Sequence, residues 1–140
     1  MKPETIFYPV AALAALTFVV LLLIPYQRLR AVFRRQVAPA DFKFGESSKV
    51  PPHVSIPNRN LMNLLEIPVL FYVVCLASYV THTVDMAAVI SAWVYVGLRA
   101  AHSAIHLSYN DVRHRLGLFA LSNVALIVLW IRWFASLMSR

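Results

Sequence analysis

The stretch MAAVISAWVYVGLRAAHSAIHL, residues 86–107, decides the fold, because it is long and apolar enough to cross a lipid bilayer. A membrane-spanning helix needs about 20 predominantly apolar residues. The second half of the stretch nevertheless contains Arg99, His102 and His106. Ionisable groups at membrane depth are costly and are usually paired or functional. Their presence must therefore have a structural or a chemical reason.

The composition of the whole chain indicates an integral membrane protein. Of the 140 residues, 60% are hydrophobic and 14% are charged, whereas roughly a quarter of the residues in soluble domains are charged. Three further stretches are long and apolar enough to span, at about residues 5–26, 61–79 and 116–137. We therefore predict an all-α fold, an integral membrane four-helix bundle in which residues 1–140 form a single domain.

The basic residues are distributed unevenly and predict the topology. The formal net charge is +7, and the basic residues concentrate in or beside the predicted loop 36–58 and in the loop between spans three and four. The loop between spans two and three, around THTVD, has no Lys or Arg. By the positive-inside rule, the two basic loops are cytoplasmic and both termini lie outside. The charge excess therefore indicates topology, and we expect no nucleic-acid partner.

In this topology, all four spans place polar residues in the same half of the membrane. On spans two and three these residues are three, four or seven positions apart, so that they share one face of each helix. The residues are Arg28 on span one; Arg59, Asn63 and Glu66 on span two; Arg99, His102 and His106 on span three; and Arg115 and Asn123 on span four.

Two interpretations of this polar cluster remain open. Glu66 and Arg99 lie at comparable depth, so an ion pair between them would offset the cost of burying either charge. The cluster would then be a clamp between helices. Four arginines, however, face this single acid. Because guanidinium groups bind carboxylates in a bidentate geometry, the surplus of positive charge indicates an anionic ligand.

Other interpretations of these polar residues are weaker. His102 and His106 have the spacing of a helical metal site, but the surrounding arginines would repel a cation, and we expect no metal. Pro68 is predicted to kink span two just past Glu66. Arg132, near the outer end of span four, is interpreted as a side chain that snorkels to the membrane surface.

Three motifs, in order along the chain, resemble the MAPEG family, the membrane-associated proteins in eicosanoid and glutathione metabolism. Span two of the family opens with an Arg, followed by an Asn four residues later and a Glu seven residues later. Span three ends with an Arg and a His three residues later, and span four opens with an Arg nine residues after a tyrosine position. The matching residues are Arg59, Asn63 and Glu66; Arg99 and His102; and Arg115 after His106, with RLR at residues 28–30 matching the end of span one.

The resemblance implies a homotrimer that binds glutathione between subunits, in the cytoplasmic half of the membrane. Arginines would hold the two carboxylates of glutathione, and Glu66 with Asn63 would hold its ammonium group. Arg115 would be catalytic, since it would favour the thiolate, the nucleophilic form of the sulfur. The other implied binding residues are Arg28, Arg59, Arg99, His102, His106 and Asn123.

The chain departs from the family pattern near the expected position of the sulfur. Leu116 and Phe119 stand where the family has hydroxyl-bearing residues, and His106 stands at a tyrosine position. The resemblance implies a glutathione transferase or peroxidase that acts on lipophilic electrophiles, in the bacterial inner membrane. The alternative is a trimeric lipid-binding or scaffold protein without enzymatic activity.

Overall fold

The computed structural model describes residues 2–139, and this part of the chain is almost entirely helical. Short 3₁₀ helices at Pro3–Ile6 and Pro39–Phe42 accompany five α-helices. The α-helices are α1 (Phe7–Phe33), α2 (Pro52–Leu65), α3 (Pro68–Val80), α4 (Met86–Leu107) and α5 (Val112–Met138). The helices α2 and α3 together form one candidate span, so the five α-helices of residues 2–139 make four segments able to cross a membrane. The predicted all-α fold with four spans is confirmed.

The central helix of the bundle is α4, which packs chiefly along α5 and also contacts α1 and α2. Its apolar half is in the core, where Tyr95 stacks on Phe71 of α3 with 4.7 Å between the ring centroids. Its polar half, with Arg99, His102 and His106, is equally buried. The outward faces of α1, α3 and α5 expose large apolar side chains, as lipid-facing surfaces do.

Span two is interrupted at Glu66, between α2 and α3. Proline lacks the N–H that a continuous helix needs and is favoured in the first turn, and Pro68 starts α3. The backbone of Glu66 leaves the helical region, with φ −81° and ψ −88°. The expected kink beyond Glu66 is therefore a break at Glu66 itself.

The predicted loop 36–58 is partly helical, since α2 begins at Pro52. The first half of α2 is too polar to be recognised as a membrane span, but proline at the first helical position favours helix formation. A small second core of Ala31, Val37, Val50 and Val54 holds the end of α1, the loop and the start of α2 together.

One end of the bundle, here called the Asp85 end, is closed by matched polar groups. Asp85 accepts the N–H of Ala88 at 2.7 Å as the N-cap of α4, and its other oxygen pairs with Arg132 of α5 at 2.6 Å. Trp133 Nε1 donates to Thr81 Oγ1 at 3.2 Å. Arg132, which was expected to snorkel to the membrane surface, pairs with Asp85, because α5 runs beside the start of α4 and brings a carboxylate within reach.

Candidate functional site

The opposite end of the bundle, here called the Arg115 end, contains a cavity of about 600 Å³. Small-molecule sites typically measure about 300–1,000 Å³. This main cavity lies between α2, the end of α4, the start of α5 and the loop before α2. It is lined by Glu46, Ser47, Ser48, Val50, Pro52, Ser55, Ile56, Arg59, Asn63, His106, Asn110 and Arg115.

The main cavity combines two guanidinium groups with one carboxylate. Arg115 donates from Nη1 to Asn110 Oδ1 at 2.7 Å, while its buried Nε has no partner among residues 2–139. Glu46 accepts from Arg28 Nη2 at 3.2 Å. With Arg59 also in its lining, the cavity can hold a ligand that carries more negative than positive charge.

His102 fixes the start of α5 against α4. Its Nδ1 lies 3.0 Å from the carbonyl oxygen of Arg115. A carbonyl oxygen only accepts, so Nδ1 must carry the proton and donate. The buried Nε2 of the same ring has no partner within the described residues. His102 thus positions the backbone of Arg115 and leaves one ring nitrogen facing the site.

A second cavity, of about 220 Å³, adjoins the first and is here called the side cavity. Its walls are mainly apolar, and two residues, Asn63 and Arg115, line both cavities. Arg115 therefore lies between a charged compartment and an apolar one. The side cavity is lined by Asn63, His102, Val112, Arg115, Leu116 and Phe119.

Arg99 is fully buried, with 0% of its surface exposed, and it does not pair with Glu66 as the sequence suggested. Its Nη2 donates to the carbonyl oxygen of Asn63, and its guanidinium lies 5.8 Å from the centroid of the Phe119 ring. In a continuous helix, the N–H of Ile67 would occupy that carbonyl. Because Ile67 lies in the break, the carbonyl is available to Arg99, while the Glu66 side chain is exposed.

The sequence profile of the MAPEG family matches residues 6–135. The chain belongs to the MAPEG family. Membership confirms the resemblance seen in the motifs, and it makes the chain an integral membrane protein of glutathione and eicosanoid metabolism at the level of the family. No significant match was found among curated proteins or among solved structures.

The structure brings some of the MAPEG motif residues together and leaves others apart. Arg59, Asn63, His106 and Arg115 meet in the main cavity, and His102 joins the side cavity. Arg28 lies behind Glu46, and Arg99 is buried beneath Asn63. Glu66 and Asn123 line neither of these two cavities. Among residues 2–139, no group of three His, Cys, Asp or Glu side chains is placed to hold a metal ion.

Two residues of the main cavity, Glu46 and Asn110, were missed from the sequence. Glu46 is one of only two acids in the predicted loop 36–58, which was a usable signal. Asn110 adopts a left-handed backbone conformation, with φ +53°, which asparagine tolerates better than most residues. Its place between two spans gave no indication that its side chain would hold Arg115.

Proposed function

We propose that this MAPEG protein binds glutathione in the main cavity and acts as a glutathione transferase or peroxidase on lipophilic electrophiles. The observation that carries the proposal is that Arg115 lines both cavities. A water-soluble thiol in the charged compartment and an apolar substrate in the side cavity would meet at this guanidinium.

The residues of the main cavity fit glutathione in charge and in size. Arg59 matches a carboxylate of the peptide and Glu46 matches its ammonium group, with Asn63 beside them, which leaves Arg115 for the thiol. This set of charges suits a zwitterionic peptide with a net negative charge. Glutathione would supply the thiol, and the chain would hold it and set its protonation.

Arg115 would act on the thiol by stabilising its deprotonated form. An ordinary thiol with a pKa of about 8.5 is only a few per cent ionised at neutral pH, and the thiolate is the nucleophile. The Arg115 Nε that lacks a partner among the described residues is a donor available for this purpose. Leu116 and Phe119 would hold the electrophile against the sulfur, as apolar walls rather than as hydroxyl donors.

The exposed Glu66 supports assembly as a homotrimer. A charged side chain at membrane depth costs several kcal/mol unless it finds a partner, and the described residues of the same chain form no ion pair with Glu66. A neighbouring subunit that covers the break in span two would remove the carboxylate from lipid. Ala104 is exposed on α4 and would permit close helix contact, whereas Ser103 is already used within the chain, where it donates to Asn60.

The proposal also places the Arg115 end in the cytoplasm and both termini outside, in the bacterial inner membrane. The support is the bias of Lys and Arg toward the two loops at that end. Reporter fusions in the loop before α2 and at the termini test this orientation. A cytoplasmic C-terminus would contradict it.

A second candidate function, a trimeric lipid-binding or scaffold protein without activity, is favoured by one observation. Leu116 and Phe119 face the side cavity and make it apolar where the family pattern has hydroxyl groups. In this alternative, the side cavity would hold a lipid, and the polar residues would serve packing.

The two candidates are distinguished by thermal unfolding in mild detergent with increasing glutathione. A ligand that binds only the folded state, at 100 times its dissociation constant, stabilises that state by about 2.7 kcal/mol. We expect a rise in melting temperature for the wild type and for Arg113→Ala, and a smaller rise for Arg59→Ala. Arg113 is the matched control because it is an exposed arginine outside both cavities. No rise in the wild type would favour the scaffold, and mass measurement in the same detergent should give three copies of the chain.

A further inference from the structure

A second positively charged pocket, here called the α1 pocket, lies at the end of α1 and shares no residue with the main or the side cavity. It has a volume of about 180 Å³. The pocket is polar, with Ala31 as its floor, and it combines side chains from the end of α1, the following turn and the start of α2. It is lined by Gln27, Arg30, Ala31, Arg34, Gln36 and His53.

The α1 pocket is formed by the way α1 ends. The N–H of Gln36 donates to the carbonyl of Ala31 at 3.0 Å, and the N–H of Arg35 donates to that of Val32 at 2.9 Å. With Arg35 at φ +57°, these two bonds form a Schellman motif, which reverses the chain at a helix end. The reversal returns Gln36 to the side of α1 that carries Arg30 and Arg34.

The same reversal fixes the opposite wall of the α1 pocket. Val37, the next residue, is buried together with Ala31 and Val54 in the second core. Val54 is adjacent to His53, so the packing that buries Val37 also holds His53 of α2 across from α1. The pocket is therefore built from three segments that are packed against each other.

The positive charge of the α1 pocket is not neutralised by an acidic side chain among residues 2–139. Neither Arg30 nor Arg34 forms an ion pair with any of residues 2–139. The two acids of the nearby loop are engaged elsewhere, since Glu46 pairs with Arg28 and Asp41 accepts from Ser47 and from the N–H of Ala38. Arginine side chains bind phosphate groups through paired hydrogen bonds, so the pocket suits a phosphate.

An exposed apolar strip runs along α1 beside the pocket. Tyr26, Leu29 and Phe33 are 56%, 57% and 81% exposed, and their spacing places them on one face of the helix. This strip follows directly on the lipid-facing part of α1, whereas the pocket begins where the apolar run ends. A ligand that fills the α1 pocket and also covers the apolar strip needs a phosphate group and apolar chains.

We propose that the α1 pocket binds the headgroup of an anionic phospholipid, with its acyl chains along Tyr26, Leu29 and Phe33. Arg30 and Arg34 hold the phosphate, and Gln27, Gln36 and His53 offer further polar contacts. Inorganic phosphate shares the head chemistry but lacks the chains. The phospholipid is favoured because the apolar strip continues from the pocket and lies at the edge of the membrane.

The test is native mass spectrometry of the detergent-solubilised protein with added phosphatidylglycerol or phosphatidylcholine. We expect the wild type to retain phosphatidylglycerol at least tenfold better than phosphatidylcholine, and Arg30→Gln with Arg34→Gln to lose this preference. The control is Lys49→Gln with Arg113→Gln, which removes the same charge from exposed positions outside the pocket. If the two double variants retained phosphatidylglycerol equally well, the proposal would be overturned.

Two further measurements keep the result interpretable. Circular dichroism and gel filtration must match among the three proteins, and glutathione-dependent stabilisation should be unchanged, because the α1 pocket and the main cavity share no residue. Excess inorganic phosphate should displace little phosphatidylglycerol. Complete displacement would mean that the pocket binds phosphate alone and would contradict the role of the apolar strip.

Discussion

The two ends of the bundle differ in how far their charged residues are paired, although Arg132 at the Asp85 end also keeps one buried nitrogen without a partner among the described residues. At the Asp85 end, one acid matches one arginine, the acid also caps α4, and the space between these residues is about 10 Å³. At the Arg115 end, the main cavity measures about 600 Å³. Arg99, His102, His106 and Arg115 each keep at least one buried nitrogen without a partner among the described residues.

This difference separates an acid–arginine pair that holds the fold from cavity-lining residues, His102, His106 and Arg115, that are available to a ligand. Leaving a buried polar group unpaired costs about 1–3 kcal/mol, so several such groups at one end represent a substantial loss of stability. At the Asp85 end, by contrast, the same chain pairs a half-exposed acid with a half-exposed arginine. The predictions below test this separation, beginning with the largest effect.

Replacing Arg115 by Ala should lower kcat/KM for conjugation of glutathione by about 10²-fold, a typical loss when one preorganised donor is removed. The ultraviolet absorbance of bound thiolate near neutral pH should fall with it. Stability without ligand should change little, since Arg115 is a surplus charge at this end. Arg113→Ala, two residues earlier on the same turn of α5, should leave both signals intact.

Two other outcomes would contradict the proposed role of Arg115. If the wild type binds glutathione but shows neither thiolate absorbance nor turnover, the transferase function fails and binding alone stands. If Arg115→Ala unfolds the protein without ligand, the guanidinium belongs to the fold rather than to the site.

Replacing Asp85 by Ala should reduce stability by about 1–2 kcal/mol, because it removes a helix cap worth about 1 kcal/mol and an ion pair worth up to about 1 kcal/mol. Denaturant titration in detergent measures this loss. The relative stabilisation by glutathione should persist, since the Asp85 end is remote from the main cavity. Glu4→Ala, another exposed acid, is the control, and an equal loss there would refute a specific role for Asp85.

Replacing Glu46 by Gln should weaken glutathione binding about tenfold, which corresponds to the lower end of the roughly 1.5–3 kcal/mol contributed by hydrogen bonds to charged groups. The same substitution should have little effect on the binding of a glutathione analogue that lacks the amino group. Arg28→Gln separates the two roles of Glu46, because it removes the ion pair but keeps the carboxylate. Equal losses in both variants, with either ligand, would show that Glu46 only braces the loop.

The smallest effect concerns Asp111, the N-cap of α5. Hydrogen bonds from the N–H groups of His114 and Arg113 hold the pKa of the Asp111 carboxyl below its usual value. A lowered pKa in the folded state stabilises the fold above the unfolded pKa of about 3.9. This contribution is lost as the pH falls through the folded pKa.

Asp111→Ala should therefore lower the melting temperature slightly at neutral pH. The difference from the wild type should remain constant down to about pH 4 and then shrink on further acidification. Melting curves between neutral and acidic pH measure it. A difference that grew with acidification would have the wrong sign for an ionised cap.

Much of the fold could be predicted from the sequence, because membrane spans depend on local composition and because helical periodicity places residues on faces. The shared face of Arg99, His102 and His106 followed from their spacing alone. The pairing of Arg132 with Asp85 could not be predicted, since the two residues are 47 positions apart. The exposure of the Glu66 side chain depends on the break at Glu66 that precedes Pro68, and a regular helical projection does not show such a break.

The candidate site was predicted in part for the same reason. Residues within the spans, such as Arg59 and Arg115, were recognisable from their spacing and from the motifs. Glu46 reaches the cavity through a loop whose path depends on the second core, and Asn110 does so through a left-handed turn. Loop geometry of this kind is set by tertiary packing, which local periodicity does not report.

The break in span two also determines how the chain enters the membrane during synthesis. When the segment Pro52–Val80 leaves the ribosome, it carries Glu66, Arg59 and an open carbonyl at Asn63, all of which oppose partitioning into lipid. The guanidinium that occupies this carbonyl belongs to Arg99, in the next span. At about 5–20 residues per second, Arg99 follows within seconds, and we expect the two spans to settle in the bilayer as a pair.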